Sequence, residues 1–216
     1  MRLPFTREQF IAVFEAYNDA IALAPMFLIV VAVAIVVLAH ATRPWRHRVI
    51  AGLLATLWLW SGAVYHWTFF TRINPAAWMF GAIFVAQAAV IVIGTVRGRW
   101  QFSPQSSATS VAGWLLIGYA LLVYPLLGWL GGHGYPRGPS FGAPCPVTIF
   151  FLGTVLWMER IPVLAVIAPA IWALIGTSAA IRLGMYEDFA LAISAAIVVG
   201  GAIHQRSRSR IPEPVA

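Results

Sequence analysis

Apolar runs of about 20 residues, parted by short polar or basic turns, set the rhythm of this chain. They predict membrane-spanning helices over 21–41, 49–70, 75–96, 111–130, 163–183 and 189–203, with a shorter one over 146–157, seven in all. Ahead of them, Phe10, Val13, Phe14, Tyr17 and Ile21 recur at helical spacing while Glu8, Glu15 and Asp19 fall off that stripe. Residues 1–20 therefore read as an amphipathic helix, lying on the membrane surface or packed over the bundle. Thr6 and Gln9 are spaced as a capping box, and Phe5 and Phe10 as a hydrophobic staple, so its start is marked. The alternatives for this helix are a simple anchor and a lid over an outer pocket.

Between 131 and 153 the rhythm breaks. Gly-Gly-His-Gly-Tyr-Pro-Arg-Gly-Pro-Ser-Phe-Gly-Ala-Pro-Cys-Pro opens this stretch, which holds His133, the only cysteine and prolines 136, 139, 144 and 146. With Pro146 as a first helical residue, the fifth span has about 12 residues, or roughly 18 Å, against a hydrocarbon core of about 30 Å. The prolines oppose an earlier helix start. Non-helical backbone is tolerated at membrane depth only inside protein or beside a wet cavity, so a partly re-entrant loop over 132–145 implies a cavity.

Composition narrows the class. The 216 residues are 61% hydrophobic and 10% charged, with mean hydropathy +0.82. That is an all-α integral membrane protein, read as residues 1–20, a transmembrane bundle over 21–204 and a basic cytoplasmic tail over 205–216. Residues 1–20 lack the layout of a cleavable signal peptide, so targeting is expected from the first span. The net charge of +7 rests on arginine alone, and it reflects orientation rather than nucleic-acid binding. Nine arginines (43, 46, 48, 97, 99, 160, 206, 208 and 210) fall on one side of the seven-span scheme. Five (2, 7, 72, 137 and 182) fall on the other, so the N-terminus is expected outside and the C-terminus inside. His40, His47 and His204 read as interfacial on the inner side.

On that scheme His66, Asn74, His133, Cys145, Glu187 and Asp188 share the outer side. His66 lies 17 residues past Val49, about 26 Å along the helix, close to the opposite interface from Arg48. Cys145 is expected at the N-cap of the fifth span, where the helix dipole favours thiolate. Two imidazoles and a thiolate from His66, His133 and Cys145 suit a soft or borderline metal ion, and two imidazoles alone suit a haem iron. Tyr65, Asn74, Tyr135 and Tyr124 are candidates to line the same pocket. The plainer reading is an inert buried thiol, with His66 bonded to a loop carbonyl and His133 to solvent. A single cysteine excludes an intrachain disulfide or a multi-cysteine cluster.

No Asp, Glu or Lys lies well inside a predicted span, where ion-coupled carriers usually have one. No His-Glu-x-x-His, phosphate loop or defensible Ser–His–Asp arrangement is present. Catalysis is therefore not supported. The span count resembles that of a microbial rhodopsin, but a chain without lysine has no retinal Schiff base.

Leu3-Pro4-Phe5-Thr6, Tyr17-Asn18, Tyr65-His66, Ile73-Asn74-Pro75-Ala76-Ala77, Gly132-His133, Tyr135-Pro136 and Phe141-Gly142-Ala143-Pro144-Cys145-Pro146-Val147-Thr148-Ile149-Phe150 carry a closer likeness. Together they resemble an uncharacterised family of bacterial polytopic inner-membrane proteins, a domain of unknown function, with the last segment the most specific. The resemblance supports the fold and implies no reaction. The expected partner is the lipid bilayer, with a homo-oligomer or a larger membrane complex as further candidates. Function is expected to be outer-facing binding of a small ligand or soft metal ion, in uptake, handling or sensing. The alternative is a structural or haem-type redox subunit.

Overall fold

The computed structural model describes residues 3–208; the side chains of His204 and residues 206–208 are outside that description. Arg2, Arg210 and the rest of the expected tail beyond 208 also lie outside the described residues. The described chain is helical throughout, without strands, apart from one isolated bridge between Phe141 and Ala143.

α1 (Arg7–Ile21) starts at the predicted capping box: Gln9 N–H donates to Thr6 Oγ1 at 3.2 Å and Thr6 N–H to Gln9 Oε1 at 2.8 Å. Phe5 stacks on Phe10 as the staple, 5.7 Å between centroids. Its apolar stripe is buried, and Glu8, Glu15 and Asp19 are exposed, so α1 lies over the bundle. α2 (Ala24–Ala39) turns away from α1 by 84° at Ala22, whose φ is +45°.

α3 (Arg46–Arg72) is α-helical to Trp60, widens into π turns over Ser61–Phe69 and tightens over Phe70–Arg72. The wide turns carry Tyr65 and His66 into the interior. α4 (Ala77–Val96) follows a turn in which Asn74 Oδ1 accepts from Ala76 N–H at 3.1 Å. The helix cap is Ala76, two residues later than the Asn74-Pro75 start expected from sequence. α5 (Ala108–Leu130) has π turns over Tyr119–Val123, just ahead of Pro125. Proline offers no N–H and crowds the preceding turn, and widening that turn relieves both.

α6 (Pro144–Val155) is the centre of the molecule, with all twelve residues buried. It has the expected length but begins two residues early, so Pro144 and Pro146 both sit in its first turn. Ala143 is the cap and Cys145 the second helical residue, which corrects the N-cap position expected for the thiol. α5 reaches α6 at a glycine contact: a Cβ on Gly113 would stand 2.6 Å from the Gly153 carbonyl oxygen. α7 (Ile167–Leu183) ends on left-handed Gly184, and a short turn over Tyr186–Asp188 leads into α8 (Phe189–Arg208).

Five helical stretches are long and apolar enough to cross a membrane: Arg46–Arg72, Ala77–Val96, Ala108–Leu130, Val163–Leu183 and Tyr186–Ile203. The bent pair α1 and α2 makes a sixth if taken as one span, and α6 is a shorter apolar helix.

Candidate functional site

The loop 131–143 is exposed at Gly131, Gly132, Tyr135 and Arg137 but buried at His133, Gly138, Pro139 and 141–143, and carbonyls along it are paired within the protein. Asn18 of α1 donates from Nδ2 to the carbonyls of Pro136 at 2.6 Å and Gly138 at 2.8 Å. Ser140 Oγ donates to Asn18 Oδ1 at 2.6 Å, and Ser61 Oγ to the Gly142 carbonyl at 2.9 Å. Buried backbone groups need such partners, and fully buried Asn18 supplies two. Gly142, at φ +113°, passes so close to Leu28, Tyr17 and Trp60 that any side chain would collide.

Beneath α1 lies cavity one, of about 110 Å³. Phe5, Phe10 and Phe14 wall it from above, Tyr65 and Phe70 of α3 and Trp172 of α7 from the sides, and Cys145 and Asp188 close its polar end. Asn74 stands at its rim. Cavity two, of about 340 Å³, opens at the α1–α2 bend between Leu23, Met26 and the loop, and includes Tyr124, His133 and Tyr135.

A buried polar cluster separates the two. Tyr124 Oη donates to Asp188 Oδ1 at 2.5 Å, and the Cys145 thiol faces the same carboxyl. His133 Nε2 lies 2.7 Å from Glu187 Oε1, both side chains 1% exposed. His133 Nδ1 faces the Gly131 carbonyl at 3.1 Å and the Arg7 guanidinium at 3.5 Å. Arg7 Nε donates to the Leu183 carbonyl at 2.8 Å, and Tyr119 Oη to the Glu187 carbonyl at 2.8 Å. The Glu187 hydrogen bond holds the His133 pKa above its ordinary value, with burial and Arg7 opposing.

The seven residues expected to form one pocket are divided. Tyr65, Asn74 and Cys145 line cavity one, while Tyr124, His133 and Tyr135 line cavity two. His66 lies behind the wall of cavity one, against Trp172 at 4.9 Å and Phe84 at 5.0 Å between ring centroids. Neither of its nitrogens has a partner, so the expected bond to a loop carbonyl is absent. His133 is buried against Glu187 instead of facing solvent. Among the described residues no three His, Cys, Asp or Glu side chains are grouped to hold a metal ion, so His66, His133 and Cys145 do not form the expected ligand set. His66 and His133 likewise belong to different surroundings and do not face each other across one cavity as haem ligation requires.

Arg7, Asn18, Glu187 and Asp188 carry the site, and sequence reasoning did not place them in it. Glu187 and Asp188 are 1% and 4% exposed. A Glu-Asp pair at a turn usually faces water, and the signal that it does otherwise here was its expected place on the same side as His133 and Cys145.

The molecule is thus an all-helical protein with several membrane-length helices and a buried acid–imidazole–phenol cluster between two cavities. The chain belongs to the family of unknown function DUF6064, which it matches over residues 7–211. Among curated proteins and among solved structures, none matches it.

Proposed function

We propose that this is a bacterial inner-membrane protein that binds a small organic molecule in cavity one, on the outer side of the membrane, for uptake, handling or sensing. The observation behind this reading is the cavity itself: an aromatic chamber under α1 that ends on buried Asp188 and the only cysteine. Ligand sites have this character, mostly apolar with a few convergent polar groups. The soft-metal and haem readings lack a gathered ligand set, so the occupant is taken as organic. In this reading α2 and α6 complete a seven-span scheme with the N-terminus out, supported by the nine-to-five division of arginines. The loop 131–143 enters from the outer face, its carbonyls satisfied by Asn18 and Ser61.

Cys145 reports on the pocket because no other thiol is present. In detergent-purified protein, a small neutral methanethiosulfonate should modify it, while a bulky charged maleimide should not. Ala179→Phe, which fills the cavity wall, should slow the small reagent at least tenfold. Rapid reaction with the bulky reagent, or equal rates in wild type and Ala179→Phe, would overturn the pocket reading.

A further inference from the structure

We propose that the molecule bound in cavity one is a small organic ammonium cation. This deepens the pocket reading above and rests on it. Three features of the cavity lead to the same chemistry.

The first is the wall. Phe5, just ahead of α1, and Phe10 and Phe14 from α1 share the wall with Trp172 from α7, and further rings come from α3 and α4. Ring faces attract cations through their quadrupole, most strongly where water is excluded. A wall built only for an apolar guest needs no such bias toward aromatics; leucine and isoleucine serve equally well.

The second is the charge. Asp188 is the only residue with a formal charge among those lining the cavity. It is 4% exposed, and among the described residues no arginine or histidine forms an ion pair with it. The nearby cations are already engaged: His133 by Glu187, and Arg7 by the Leu183 carbonyl. A carboxylate taken out of water without a countercharge is costly, and a bound cation removes that cost. Asp188 also immediately precedes α8, where the helix dipole favours its ionised form.

The third is the size. About 110 Å³ is on the scale of the ~150 Å³ cavity that holds benzene, which suits a trimethylammonium head and little more.

The test uses full-length protein in nanodiscs, with choline and its uncharged isostere 3,3-dimethylbutan-1-ol as probes, followed by calorimetry and thermal shift. Choline should bind at least tenfold more tightly than the alcohol, and Asp188→Asn should erase that preference while leaving the alcohol unchanged. Ala179→Phe should weaken both. Equal binding of the two probes would overturn the cation class while leaving the pocket standing. No binding of choline at millimolar concentration, or choline binding indifferent to Ala179→Phe, would also overturn it. If Asp188→Asn does not fold, the comparison of the two probes on wild type still decides.

Discussion

The Tyr124 hydroxyl donates a 2.5 Å hydrogen bond to the Asp188 carboxylate, joining helix α5 to the turn before α8 across 64 positions. Tyr124 faces cavity two and Asp188 faces cavity one, so this bond is part of the partition between them. Tyr124→Phe removes the donor and leaves the buried acceptor short of one bond. The expected loss is about 1.5–3 kcal/mol, the range for hydrogen bonds to charged groups. Tyr119→Phe, which loses a bond to a neutral carbonyl, should cost about 1 kcal/mol. Thermal or denaturant unfolding of the two variants in one detergent checks the order.

Asn18→Ala strips the Pro136 and Gly138 carbonyls of their shared donor. Each buried group left unpaired costs about 1–3 kcal/mol, so about 2–6 kcal/mol in total is expected. Limited proteolysis should then cut within 131–143 at concentrations of protease that spare wild type. An uncut loop in Asn18→Ala would show that α1 does not hold it in place.

The His133–Glu187 pair makes stability depend on pH. His133 binds its proton more tightly in the folded chain than in the unfolded one. Its contribution is therefore full below the unfolded value of about 6.5 and is lost as pH rises through the higher folded value. The melting temperature should fall across that window in wild type, and the step should shrink in Glu187→Gln. An unchanged step in Glu187→Gln would assign the pH dependence to another group.

Two glycine substitutions should separate close packing from backbone freedom. Gly113→Ala places a methyl 2.6 Å from the Gly153 carbonyl oxygen, at the contact between α5 and α6. Overpacking of this kind costs about 1–3 kcal/mol. Gly52→Ala in α3 meets nothing within 4 Å and should stabilise by about 0.5–1 kcal/mol through helix propensity. Unfolding midpoints of the pair read the difference in sign.

The proposed sidedness is tested with single cysteines on a Cys145→Ser background. Arg72→Cys should react with an impermeant maleimide on intact cells. Ser106→Cys should react only after the membrane is opened. The reverse pattern would invert the orientation, and equal labelling from one side would remove one span between them.

The sequence by itself determined the elements whose causes are local. Helix positions followed from runs of apolar residues, five of which became helices long and apolar enough to cross a membrane. The start of α1 followed from Thr6 and Gln9, three positions apart. The short buried α6 was visible in its length and its prolines, although its first turn lies two residues earlier than Pro146 suggested. Tertiary structure alone decided the site. Whether His133 meets Cys145 or Glu187 depends on how α5, α6 and α8 are rotated about their axes, and helices apolar on nearly every face carry little record of that rotation. Glu187 and Asp188 are charged residues in a turn when read along the chain. They become the polar floor between two cavities only because Tyr124, His133 and Arg7, from distant segments, close over them.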